Sequence, residues 1–299
     1  MWFLFALIAL LMWSGSDLFS KLGCVDAEAK EAPLKMVVAV GLIMGLHAIY
    51  SITAGGIVLT SDDIVRYLPI SALYIFSMAI GYFGLRHIEL SISSPICNAS
   101  GAVVMLVYIL RGKEIEPLTY IPLFLMIFGV IYLGYVEYTE DPASRAKRQA
   151  EGIRSYEQSF WAIFLPVLYM FIDAAGTYFD SIVLETMDED VANTAYELTF
   201  LIVGFLVFMY LSLRGEFKFE KKEDGFKLLG AGFETVGQFF YVFALAANPA
   251  YAAPMISAYC VVSVLWSRIF LKEKLSLRHY IAILATVVGI VVMGVLNPD

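Results

Sequence analysis

Apolar runs of membrane-crossing length follow one another along this chain, beginning with MWFLFALIALLMWSGSDLF at residues 1–19. A helix needs about 20 mostly apolar residues to span a bilayer. No water satisfies the backbone inside hydrocarbon, so only helices or closed barrels cross it. The runs are continuous and lack the ten-residue alternation of barrel strands. They describe an all-α polytopic membrane protein. Composition excludes the soluble classes: 60% of residues are hydrophobic and 16% charged, against about 45–50% and about 25% in ordinary soluble domains. No basic region precedes the first run, so it is expected to be a retained span and not a cleaved signal. Cys24, Cys97 and Cys260 are odd in number and predict no disulfide framework.

Ten spans are expected, at about 2–23, 34–53, 66–84, 91–110, 118–138, 159–184, 192–212, 226–247, 250–270 and 278–296. The breaks carry helix-ending chemistry, such as Ala54-Gly55-Gly56, Arg111-Gly112-Lys113 and Asn248-Pro249. The longest polar stretch divides the chain into 1–138, a linker at 139–158, and 159–299. The two halves repeat one another. SPICNASGAVVMLVYILRGKE, from Ser94, aligns with APMISAYCVVSVLWSRIFLKE, from Ala253. Pro95 falls on Pro254, Ala99 on Ala258, Leu106 on Leu265, and Lys113-Glu114 on Lys272-Glu273. With one residue of slack, Gly129 meets Gly289 and Gly134 meets Gly294. Five spans per half is an odd number. The second half would then enter the membrane from the other side, as an inverted repeat.

On these residues the chain resembles an EamA-type member of the drug/metabolite transporter superfamily. The resemblance rests on Ser94-Pro95 with Lys113-Glu114, on Ala253-Pro254 with Lys272-Glu273, and on Trp13 with Lys21 eight positions later. It implies ten helices in two homologous halves. The chain departs from that pattern at Ser14-Gly15, where glycine usually follows the tryptophan directly, and at Asp17, a position usually neutral. The substrate does not follow from the resemblance, because members move very different metabolites.

All Lys and Arg residues but Arg66, Arg111 and Lys113 fall on one side of the ten-span order. The positive-inside rule puts that side in the cytoplasm and both termini outside. The linker, with Arg145, Lys147, Arg148 and Arg154, is expected either to lie on anionic headgroups or to be plainly solvated.

Ionisable groups inside spans are costly and usually mark a pathway. Asp17 in span 1, Asp173 in span 6 and Glu234 in span 8 are the strongest, and Gln238 shares a helix face with Glu234. Asp17 has a competing reading, because Lys21 stands at i+4 and the two could pair. Glu197 is near a span end and weaker, while Asp180 and Glu185 are expected to reach water. Trp13, Tyr169, Tyr241 and Tyr259 lie on candidate cavity helices, as do Tyr178 and Tyr251. Ring faces attract cations. Asn98 could orient a substrate, and His47 could join Asp173 and Glu234 in proton coupling, against the blander reading of a satisfied core histidine. Arg268 is expected to snorkel, and Pro95 and Pro254 to start spans 4 and 9.

No phosphate-binding loop, HExxH or CxxC pattern occurs. An enzyme, a metal site and a cofactor are therefore not expected, nor is a nucleic-acid partner. The expected function is secondary active transport of a small polar or cationic metabolite across the cytoplasmic (inner) membrane, by alternating access, with protons as a candidate coupling ion. The alternatives are an exporter of neutral metabolites such as amino acids, or a membrane scaffold or sensor that transports nothing.

Overall fold

The computed structural model describes residues 1–25, 30–114, 116–152, 155–156, 159–248, 252, 255–257 and 259–296. Those residues are all-helical, without strands. The first half holds α1 (Trp2–Cys24), α2 (Ala32–Thr53), α3 (Ser61–Gly84), α4 (Leu90–Cys97), α5 (Ser100–Leu110) and α6 (Tyr120–Thr139). A short helix, α7 (Pro142–Gln149), follows. The second half holds α8 (Phe160–Val183), α9 (Glu189–Leu213), α10 (Lys221–Ala247), α11 (Tyr259–Trp266) and α12 (Leu277–Leu296). Eight helices among the described residues are long and apolar enough to cross a membrane, with α4 and α5 together forming one of them. Where spans 9 and 10 were expected, shorter apolar helices stand at Tyr259–Leu271 and Leu277–Gly289.

Polar side chains cap the starts of α3, α7, α8 and α9. Thr60 and Asp63 form a reciprocal box: Asp63 N–H donates to Thr60 Oγ1 at 3.2 Å, and Thr60 N–H to Asp63 Oδ2 at 2.9 Å. Asp188 accepts from the amides of Asp190 and Val191 at 3.0 and 3.2 Å. The two repeated turns after α5 and α11 both use left-handed backbone, at Gly112 (φ 81°) and at Lys272 (φ 55°).

Span 4 differs from expectation. It is two helices broken at Asn98-Ala99, and Pro95 lies inside α4 instead of starting it. Pro95 has no N–H to donate and crowds the turn before it. The chain recovers its bonds by tightening: Ala99 N–H donates to Ile96 O at 3.2 Å and Asn98 Nδ2 to Ser94 O at 2.8 Å. Pro254, Ala258 and Tyr251 lie outside the described residues, as does Arg154.

The halves pack on each other symmetrically. α1 lies against α10, and α8 against α3. α2 meets α9, α6 meets α12, and α4 meets α11. Exchanging the halves leaves this pattern unchanged. Small residues allow the closest crossings. A Cβ on Gly41 would lie 2.6 Å from the Phe200 carbonyl oxygen and 2.9 Å from the Cα of Gly204.

The linker is neither a headgroup-bound stripe nor a solvated tether, because two of its arginines are buried. Asp141 caps α7 by accepting from Ser144 N–H at 3.0 Å. From the end of α7, Arg148 donates to Glu89 at 2.6 Å, to Glu140 at 2.8 Å and to the carbonyl of Lys274 at 3.0 Å. Gln149 donates to Glu89 at 2.6 Å. Glu273 in turn accepts the amides of Leu90 and Ser91 at 3.1 and 2.9 Å, at the start of α4. One basic-side cluster thus ties the two halves together. Arg268 is exposed and reaches the carbonyl of Glu273 at 3.4 Å.

Candidate functional site

A cavity of about 1000 Å³ of atom-free space, its opening to solvent included, lies between the halves. Asp17 comes to it from α1, Asp173 from α8 and Glu234 from α10. Trp13, Gln238 and Asn98 line it, as do Tyr169, Tyr241 and Tyr259. Nine of the residues singled out from the sequence therefore share one space, although they come from four helices and the break between α4 and α5.

Local sequence explains how the aromatic walls are seated. Gly237 leaves no room for a Cβ because the indole of Trp13 lies on it. A Cβ on Gly176 would come within 2.9 Å of the Tyr74 ring. So placed, Trp13 sits between Tyr241 and Tyr259, with ring centroids 5.0 and 5.8 Å away. These separations suit tilted and edge-to-face packing.

The acids are held by hydroxyls. Asp17 Oδ2 accepts from Ser94 at 2.5 Å and from Ser263 at 2.7 Å, one serine from each half. Asp173 lies beside Ser100 and Tyr169, and Glu234 beside Ser16 and Trp13. No Lys or Arg is among the lining residues. The amide nitrogen of Gln238 and the hydroxyls of Tyr82 and Ser20 line the same space, are buried, and have no protein hydrogen-bond partner. Buried polar atoms are normally satisfied, so these are donors available to a bound molecule.

Lys21 does not pair with Asp17. Its ammonium donates to the carbonyls of Leu85 and Ile88 at 2.5 and 2.6 Å and stands 4.5 Å over the ring of Tyr156. The end of α3 offered it carbonyls that could not be seen from its own helix. His47 is also placed elsewhere. Its Nδ1 lies 2.7 Å from Oε2 of Glu197, which Asn193 also contacts at 3.1 Å. His47 joins α2 to α9, outside the cavity, and among the described residues no hydrogen bond connects it to Asp173 or Glu234. Tyr178 accepts from Arg111 at 3.0 Å, also outside the cavity.

Sequence reasoning missed Tyr74, Tyr82 and Tyr196, which line the cavity from α3 and α9. It also misjudged Asp180. That residue is fully buried, and accepts from Tyr67 at 2.6 Å and from Tyr74 at 3.1 Å. Glu185 is exposed, as expected.

The chain is similar over its whole length to a solved structure known only as the crystal structure of a protein. The two are 14% identical, and the match covers 99% of this chain and 96% of the other at a TM-score of 0.66. At that identity the likeness shows the fold alone. No curated protein is similar enough to count as a match. The model of the EamA-like transporter family matches residues 160–295, which run from α8 into α12. The resemblance read from the repeated helices thus holds where it was strongest. The second half of this chain is similar to an EamA-like transporter unit, and the described residues of the whole chain include eight helices long and apolar enough to cross a membrane.

Proposed function

We propose that the protein is a secondary transporter that carries a small organic cation across the cytoplasmic membrane by alternating access. The observation that carries this reading is the composition of the cavity wall. Three carboxylates and several aromatic rings face one space, with no lysine or arginine among the lining residues. A carboxylate neutralises a bound cation, and ring faces attract it further. Charge without a partner in a dry site is costly, so the wall favours a positive guest over a neutral or negative one.

The symmetric packing of the halves supports ten crossings arranged as two inverted five-helix repeats, with the site at their interface. The basic loops would face the cytoplasm. The hydroxyl donors already on Asp17 favour a second reading, in which the guest is a neutral metabolite and the acids serve packing or proton movement.

Currents in proteoliposomes separate the two readings. Quaternary ammonium compounds and polyamines are expected to evoke current, and neutral amino acids none. Responses confined to neutral amino acids would replace the cation reading with the second one.

A further inference from the structure

Asp180 is a buried acid that the cation site does not use. It lies two turns beyond Asp173 on α8, is 0% exposed, and is not a lining residue of the cavity. No ion pair is made to it among the described residues. The groups that face it are neutral hydroxyls. From α3, Tyr67 donates to Oδ1 at 2.6 Å and Tyr74 to Oδ2 at 3.1 Å. From α10, the hydroxyl of Tyr241 lies 2.6 Å from that of Tyr74 and 3.2 Å from that of Thr177. From α9, Tyr196 packs edge-on to Tyr74 with centroids 5.9 Å apart. On α8 itself stand Asp173, Thr177 and Ser181, and Ser181 bonds Tyr108 of α5 at 2.5 Å. The nearby arginines are engaged at the exposed end: Arg66 with Thr186 and Arg111 with Tyr178.

Tyr74, Thr177 and Tyr241 line the cation cavity, while Asp180 and Tyr67 stand behind them. A continuous chain of hydroxyls therefore runs from the cavity to a carboxylate sealed from water. An isolated buried charge is expensive, and the one cation small enough to reach Asp180 through this chain is a proton.

We infer that Asp180 is a proton-binding site separate from the acids of the cation cavity, and that Tyr241 and Tyr74 relay its proton. The inference rests on the transport reading only for its purpose, which is coupling. With Asp180 ionised, Tyr67 and Tyr74 donate to it and Tyr241 donates to Tyr74. A proton delivered to the Tyr241 oxygen from a protonated cavity carboxyl or hydronium drives a concerted shift. Tyr241 passes its hydroxyl proton to Tyr74, and Tyr74 passes its own to Asp180. Each tyrosine ends with one proton. One O–H bond is made on Asp180 and one is broken at the cavity donor.

Infrared difference spectra between acidic and alkaline pH read this site without any transported molecule. The purified wild-type protein is expected to show a protonated-carboxyl C=O band, and Asp180→Asn to lose one component of it. Tyr67→Phe, which keeps the carboxyl and removes one donor, is expected to shift that component. Tyr74→Phe is expected to slow its exchange in D₂O roughly tenfold, as loss of one bond to a charged group would. Asp17→Asn and Asp173→Asn are expected to leave the component in place. A spectrum unchanged by Asp180→Asn, or a band unmoved by Tyr67→Phe, would overturn the assignment. A component that behaves as expected in a protein carrying no cation would keep the proton site and reject the transport reading.

Discussion

Replacing Asp17 by asparagine is expected to weaken organic-cation binding by about two to three orders of magnitude while leaving the fold intact. Opposite charges 4 Å apart at an effective dielectric constant of about 20 attract by about 4 kcal/mol, roughly a factor of a thousand. The asparagine oxygen can still accept from Ser94 and Ser263, so the contacts that hold α1 to α4 and α11 persist. Calorimetric titration of a quaternary ammonium compound into wild type and variant reads the loss. Equal affinities would make Asp17 a packing residue held by two serines and would favour the neutral-metabolite reading.

Arg148→Ala is expected to destabilise the protein by about 3–5 kcal/mol, the usual cost of removing one member of a buried charge cluster. Arg148 is 8% exposed and Glu89 2%, so water does little to compensate Glu89 and Glu140 for the lost guanidinium. The same change cuts the tie from α7 to the carbonyl of Lys274 in the second half. Replacing Arg148, Glu89 and Glu140 together by apolar residues of similar size is expected to restore part of the loss, because the buried charges are removed together and only Arg145, 3.8 Å from Glu140, loses an ion-pair partner. Thermal unfolding in detergent reads both variants. If Arg148→Ala melts with the wild type, the cluster is not a structural tie. If the apolar triple variant is as unstable as the single one, the charges themselves hold the halves together.

The acids of the cavity were legible in the sequence because a charge inside an apolar run has few inexpensive explanations. Asp17, Asp173 and Glu234 stood out on that ground alone. Tyrosine gives no such signal. Tyr74, Tyr82 and Tyr196 could as well have been belt or core residues, and only the packing of α3 and α9 against α8 and α10 turns them into a wall. Asp180 was misread because its distance from the helix end suggested water, whereas Tyr67 of another helix covers it. Lys21 was judged by a neighbour on its own helix and found its partners across the fold, on the carbonyls after α3. His47, for which a satisfied histidine was one of the two readings, found Glu197 of another helix. The break in span 4 was hidden because Pro95 suits a helix start as well as a mid-helix turn. The repeat was visible as matched residues, while the pairing of α1 with α10 and of α3 with α8 follows only from the folded structure.

A native probe stands in the cavity wall: all three cysteines are buried free thiols, and of them Cys97 alone is a lining residue of the cavity. With Cys24 and Cys260 replaced by serine, its labelling rate by a trimethylammonium methanethiosulfonate can be set against that of the sulfonate reagent of opposite charge. Both reagents attack the same thiolate, so their ratio, normalised to a free thiol, reports the field of the cavity wall. An acid-lined cation site predicts a ratio of roughly ten to a thousand in favour of the cationic reagent, falling when Asp173 is changed to asparagine. A ratio near one in the wild type would contradict a cavity built to draw in cations.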